Sequence, residues 1–326
     1  MTGVQTCALP IYIPDWLKLT AEGRLEEAYE LSSATNNFPE ICGRICPQDR
    51  LCEGNCVIEK GFESVTIGTV EKYVTDQAFQ NGWVKAIKPP RELKKSIGII
   101  GAGPGGLAAA EQLRRKGYLV HVYDRHDRVG GLMIYGIPNF KLEKPIVERR
   151  TQWLIEGGIE FTLNVEIGRD VSHAQLMEHY DGVIYAYGAQ ADRRMGIPGE
   201  DLPGSLPATA FVAWYNGHPD FRDLDPDLQV ERAVVIGNGN VAVDVARMLV
   251  LAPEELAPTD TADHAIEAFG ASTLQDVVIA GRRGPLQAAY TNPELLELGD
   301  LQIADVVVDP AEAALRSEEH TSELQS

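Results

Sequence analysis

"SIGIIGAGPGGLAAAEQLRRKGYLVHVYDRHDRVGG", residues 96–131, carries the fold of this chain. A short apolar run, Ile97 to Ile100, ends in Gly101-x-Gly103-x-x-Gly106, and beyond it Leu107, Ala110 and Leu113 recur at helical spacing, with Gly117 as the stop. In such a turn Gly101 permits the tight bend, Gly103 lets backbone approach a pyrophosphate, and Gly106 lets the helix lie on the strand. The helix then turns free N–H groups and its positive end toward the phosphates. The glycine pattern alone is weak evidence, since a glycine-rich turn without a ligand can share it. The next run, "YLVHVYD", ends at Asp124, 23 residues after Gly101, where a carboxylate can accept both ribose hydroxyls. Strand, helix and acid together predict a βαβ dinucleotide-binding unit.

A second unit follows downstream. "RAVVIGNGNVAVDVARMLV", residues 232–250, repeats the pattern as a strand at 233–236 and then Gly237-x-Gly239-x-x-Ala242, with Asn238, Asn240 and Val241 in the turn. After a predicted helix, "ADHAIEAFG", the strand "DVVIAGRRGPLQAAY" ends in Arg282 and Arg283, where an NAD-binding unit would carry an acid. A guanidinium fork matches a 2'-phosphate, so NADP(H) is favoured over NAD(H). An exposed arginine pair on an acidic surface is the plainer reading of the same residues.

Ahead of both units, "ICGRICPQDRLCEGNC" at 41–56 spaces four cysteines as C-x3-C-x5-C-x3-C, and apart from Cys7 there are no others. Clustered thiols fit a metal or cluster site in a reducing, cytoplasmic compartment better than a disulfide framework. The spacing alone allows a four-cysteine zinc site, although the C-x2-C knuckles of common zinc sites are missing. Upstream, "IPDWLKLTAEGRLEEAYELSSATNNFPE" predicts two short helices, "TVEKYVTDQAFQNGW" another, and "KAIKPPRELKKS" a linker with a domain boundary near residue 90. The formal net charge of -19 argues against duplex nucleic acid as a partner, and no apolar run reaches the roughly twenty residues of a membrane span. Neither a metal-binding histidine spacing nor a G-x-S-x-G elbow occurs, so no catalytic triad is assigned; His121, inside a strand, reads as structural.

The ends read differently from the rest. "MTGVQTCALPI" can be back-translated into DNA whose opposite strand encodes "RSEEHTSELQS", so residues 1–11 and 316–326 are expected to be sequencing-adapter scars.

Residues 12 to about 180, through "IPDW", "TNNFPE", "CGRICPQDRLCEGNC", "VTIGTVEKY", "GAGPGGLAAA" and "GGLMIYGIPNFKLEK", resemble the small, electron-delivering subunit of glutamate synthase. From about 181 to 315, "YDGVIYAYGAQADRRMGIPGEDLPGS", "FVAWYNGHPDF", "GNGNVAVDVAR" and "GRRGPLQAAYTNPELLEL" are similar to NADPH-ferredoxin reductases of the adrenodoxin type. The hybrid reads as two genes joined at a shared motif or as a natural fusion. Both resemblances imply an α/β protein with two Rossmann-like dinucleotide-binding domains, FAD at 91–205 and NADP at 206–315, behind a truncated helical iron-sulfur domain at 12–90. They imply FAD on Gly101, Gly103, Gly106, Asp124, Gly130, Gly131, Leu132 and Gly188. NADP(H) falls to Gly237, Asn238, Gly239, Asn240, Val241, Arg282, Arg283 and Glu294. For 4Fe-4S clusters the glutamate synthase resemblance implies Cys46, Cys52 and Glu71 at one and Cys56 at the other, both incomplete without an earlier cysteine stretch, while Cys42 falls where that family has no ligand. A closing segment over the FAD is also expected to be missing, which would weaken the flavin site. The implied activity is electron transfer between NADPH and iron-sulfur carriers, with a ferredoxin-like protein or the glutamate synthase large subunit as partner. An inactive chimera is the remaining alternative.

Overall fold

The structure is a computed structural model that describes residues 12–189, 192–282, 288–308 and 310. Both expected scars, 1–11 and 316–326, and Arg283 lie outside the described residues. The chain divides into two compact units, Met1–Ala191 and Asp192–Ser326.

The first unit begins with four helices, α1 (Ile13–Ala21), α2 (Leu25–Ser33), α3 (Pro39–Ile45) and α4 (Ile67–Gln80). Pro14 and Pro39 occupy first-turn positions, where a missing N–H removes no helical bond. Trp16, Ala28, Tyr29, Val74 and Ala78 form the core of this layer. The third helix, absent from the sequence reading, takes in Cys42: the x3 gap between Cys42 and Cys46 is one helical turn, and Cys46 is its C-cap.

The chain then enters β1 (Ser96–Ile100), α5 (Pro104–Arg115), β2 (Leu119–Tyr123), α6 (Leu132–Tyr135), α7 (Lys144–Glu156), β3 (Ile159–Thr162), α8 (His173–His179) and β4 (Gly182–Tyr185). The strands form one parallel sheet in the order β3-β2-β1-β4. Register places Ile100 beside Tyr123 and Tyr185, so β1, β2 and β4 end at the same level. Ile99, Leu107, Ala110, Val120, Val122 and Leu154 are fully or nearly fully buried in the core beneath α5 and α7. His121 bonds Thr162 Oγ1 at 2.7 Å and the Tyr180 hydroxyl at 2.9 Å, a role internal to the fold.

The second unit holds α9 (Ala208–Tyr215), β5 (Arg232–Ile236), α10 (Asn240–Val250), α11 (Pro253–Leu256), α12 (Asp263–Gly270), β6 (Asp276–Ala280) and α13 (Asn292–Glu297). Here β5 and β6 pair in parallel from Arg232 beside Asp276 to Ile236 beside Ala280. Parallel pairing requires the crossover that α10 to α12 provide. Phe211 and Trp214 of α9 meet Phe269 of α12 edge to face.

Candidate functional site

The first glycine turn caps the carboxyl end of β1, where open parallel sheets bind their ligands. Gly101 has φ +109°, and a Cβ there would lie 2.4 Å from the Ala186 carbonyl oxygen. At Gly106 a Cβ would lie 1.9 Å from the Gly101 oxygen, so these two glycines are demanded by the protein's own packing. Gly103 differs: the nearest atom to a Cβ there, the Gly131 Cα, would be 4.0 Å away, and at Gly105 nothing lies within 4 Å. The bare backbone at the start of α5 faces open space, and no side chain caps that helix. Such a cradle suits a pyrophosphate. Gly130, at φ +131°, donates its N–H to the Ala102 oxygen at 2.9 Å, and this bond brings Gly131 against Gly103. Leu132 and Gly188 are exposed.

Asp124 is where the sequence placed it, just past β2 and buried. Its Oδ2 accepts from the Ala102 N–H at 2.6 Å, and its Oδ1 accepts from the His126 N–H at 2.9 Å. Burial raises its pKa, but hydrogen bonds from the His126 ring and from the Ala102 and His126 N–H groups outweigh burial and hold the carboxyl below the usual range. The carboxylate thus stays charged beside a cavity of about 230 Å³ whose walls include Gly101, Asp124, His126, Val165, Ile167 and Tyr187. His126 and Tyr187 were not legible as site residues, because neither belongs to the glycine or acid spacing.

In the second unit Gly237 takes φ +143°, but a Cβ there would come no closer than 3.5 Å, to the Ala242 Cβ, a looser fit than at its counterpart Gly101. The Asn238 oxygen accepts from the Ala289 and Tyr290 N–H groups at 2.8 and 2.9 Å, and Asn240 Oδ1 accepts from the Thr291 N–H at 2.9 Å. These bonds tie the turn to the start of α13 and so bring Gly239, Asn240 and the buried Glu294 into one region. Val241 and Arg282 are exposed, and Arg282 lies two residues past the end of β6.

The cysteine site is built where α3 crosses α4. A Cβ on Gly43 would lie 2.5 Å from the Gly68 oxygen, a backbone approach that sets Cys46 near Glu71. The loop beyond closes on the Gln48 oxygen, which accepts from the Glu53 and Gly54 N–H groups at 2.9 and 3.2 Å, and it carries Cys52. The half-buried Glu71 has its pKa raised to about 7, first by burial and then by Cys46 and Glu40, against the bond from Asn36. The bond with Cys46 and burial raise the pKa of Cys42, and burial chiefly raises that of Cys52, with Glu71 adding a smaller push to each. Thiolates with a carboxylate are donors that iron would accept. Cys56 stands at the start of the turn Val57–Lys60, its N–H donating to the Glu53 oxygen at 3.0 Å. None of the four cysteines is in a disulfide. A hydrogen bond from Cys42 lowers the Cys46 pKa to about 7, whereas that bond and burial raise Cys42. In iron-free protein near pH 7, iodoacetamide should therefore alkylate Cys46 well before Cys42, read by peptide mass spectrometry; equal rates would contradict the pairing.

Two units of parallel strands, each with a glycine turn at a strand end, define a protein of the two-dinucleotide-fold class. The chain belongs to the pyridine nucleotide-disulphide oxidoreductase family, whose match covers residues 95–278. Residues 1–83 match the family described as dihydropyrimidine dehydrogenase domain II, 4Fe-4S cluster. The chain is 52% identical over 251 residues to the glutamate synthase [NADPH] small chain of Azospirillum brasilense, covering 75% of this chain and 52% of that one. It is 48% identical over 224 residues to the NADPH-ferredoxin reductase FprA of Mycobacterium tuberculosis, covering 66% of this chain and 49% of that one. The solved structure of M. tuberculosis FprA in complex with NADPH matches with TM-score 0.66 and 45% identity over 72% of this chain and 53% of that one. This chain thus spans about half the length of the curated relatives it matches.

Proposed function

We propose that this chain belongs to an FAD-dependent oxidoreductase that moves electrons between NADPH and iron-sulfur carriers. The observation that carries the reading is the bare turn at Gly103 and Gly105, left open beside a charged Asp124, together with a second glycine turn of its own in the other unit. When bound, a flavin takes a hydride from a nicotinamide and passes electrons on singly. The chain's residues bind and orient: Gly101, Gly103, Gly106, Gly130 and Gly131 shape the FAD pyrophosphate cradle, Asp124 accepts from the ribose, and Leu132 and Gly188 flank the remainder. In the second unit Gly237 to Val241 and Glu294 hold the dinucleotide, and Arg282 with Arg283 selects the 2'-phosphate. Cys46, Cys52 and Glu71 would supply three ligands to one 4Fe-4S cluster, and Cys56 one ligand to another. We assign residues 12–90, 91–205 and 206–315 to the iron-sulfur, FAD and NADP domains. A cytoplasmic setting suits its disulfide-free thiols, and no helix among the described residues is long and apolar enough to cross a membrane.

A second reading, the electron-delivering small subunit of glutamate synthase, is favoured by the N-terminal cysteine region and by the likeness to the Azospirillum chain. The acceptor would then be the large subunit in place of a ferredoxin-like carrier. For the protein loaded with FAD and iron, anaerobic NADPH should bleach the flavin band, with NADH at least about tenfold less effective, as loss of an arginine-phosphate pair implies. Protein that stays colourless after FAD loading, or a flavin that NADPH leaves oxidised, would overturn the proposal. Glutamate formation only on adding a large subunit would select the second reading.

A further inference from the structure

Asn36, in the turn before α3, belongs to neither the glycine turns nor the thiolate pattern, yet its side-chain amide is engaged at both ends. Its Oδ1 accepts from the Phe38 N–H at 3.0 Å and lies 3.6 Å from the Cys42 Sγ, and its Nδ2 donates to Glu71 Oε1 at 3.0 Å. A backbone N–H can only donate, so the Phe38 bond fixes which end of the amide is oxygen. The nitrogen is then committed to Glu71, 35 residues away on another helix.

We infer that Asn36 is a positioning residue for the metal site: it occupies one oxygen of Glu71 and leaves the other to serve as the carboxylate ligand beside Cys46 and Cys52. The inference rests on the iron-sulfur reading above and goes beyond it by naming what orients the ligand. A carboxylate on a helix has several rotamers and two equivalent oxygens, so a fixed donor selects one presentation before any metal arrives. Partners of this kind typically contribute 10–100-fold to metal affinity. Aspartate keeps the acceptor for Phe38 but sets a second anion beside Glu71, and leucine keeps the volume but loses both contacts.

The test uses the whole chain, loaded anaerobically with ferrous iron and sulfide in a small thiol that can take any ligand position the protein leaves open. Iron release to excess chelator is followed by absorbance for wild type, Asn36→Leu, Asn36→Asp, Glu71→Cys and the double variant Asn36→Leu with Glu71→Cys. Both single Asn36 variants should release iron about 10–100-fold faster than wild type. In the Glu71→Cys background the leucine should change nothing, because a thiolate needs no amide to orient it. Release as slow as wild type from both Asn36 variants overturns the inference. So does an equal loss in the Glu71→Cys background, which would show that Asn36 supports only the loop. The iron-sulfur reading fails by a different sign: wild type, Cys46→Ala and Cys52→Ala would hold the same amount of iron, and the role of Asn36 would fall with it.

Discussion

Replacing Arg150 by alanine is expected to destabilise the first unit by about 3–5 kcal/mol, the loss typical of breaking a buried ion pair from one side. Arg150 on α7 is 2% exposed and Glu40 on α3 is 0% exposed, and two parallel bonds of 2.7 Å join them. Burial lowers the arginine pKa, but the charge and hydrogen bonds of Glu40 outweigh it and the net direction is upward. The guanidinium also lies 4.8 Å from the Trp153 ring centre and 5.4 Å from that of Phe79. Removing it leaves a buried carboxylate without its guanidinium partner, at the head of the helix that ends at Cys46. Urea unfolding would show the loss as a shifted midpoint. The double variant Glu40→Met with Arg150→Met should lose far less than Arg150→Ala, since apolar groups of similar volume often replace a buried pair at little cost. An alanine variant as stable as wild type would mean that the pair is solvated, and that α3 is held on α7 by apolar contacts alone.

That pair also marks the limit of what the sequence discloses. The glycine units were legible because each encodes its conformation locally: Gly101 must take a positive φ, Gly106 must lie against backbone, and Asp124 follows at the end of the next strand. Glu40 and Arg150 are 110 residues apart, and no local pattern links a charge at the start of one helix to a charge in the middle of another. Asn36 was hidden in the same way, inside a motif noticed only for its resemblance. Gly43 has a low helical preference, yet packing of α3 on α4 carries the helix through it to Cys46. The proline- and lysine-rich stretch before β1 is irregular, as composition suggests, but it is pinned: Trp153 Nε1 donates to the Lys85 oxygen at 2.8 Å, and the Leu93 N–H to the Gly117 oxygen at 2.7 Å. The two family likenesses span 251 and 224 residues, more than the two stretches assigned to them could hold, so they overlap and mark no seam near residue 181. A shared two-dinucleotide architecture accounts for that overlap.

The glycines of the first turn supply the other large effect, and they separate folding from binding. Gly106→Ala would press a Cβ to within 1.9 Å of the Gly101 oxygen, where both sides are backbone and no rotamer can yield. Helix α5 must then lift from β1, at a loss near the upper end of the 1–3 kcal/mol usual for overpacking. A lower thermal midpoint is expected even without flavin. Gly103→Ala meets nothing closer than 4.0 Å, and its backbone, φ -77° and ψ -178°, is one that alanine adopts freely. The flavin-free variant should therefore unfold at the same temperature as wild type. Its methyl group would nonetheless stand in the open space over the start of α5, where the pyrophosphate is proposed to lie, and FAD affinity should fall at least about tenfold, or 1.4 kcal/mol. Added FAD would then raise the midpoint of wild type more than that of Gly103→Ala. Equal stabilisation of the two by FAD would mean that the dinucleotide is not held over Gly103, and the open cradle would lose its meaning as a binding site.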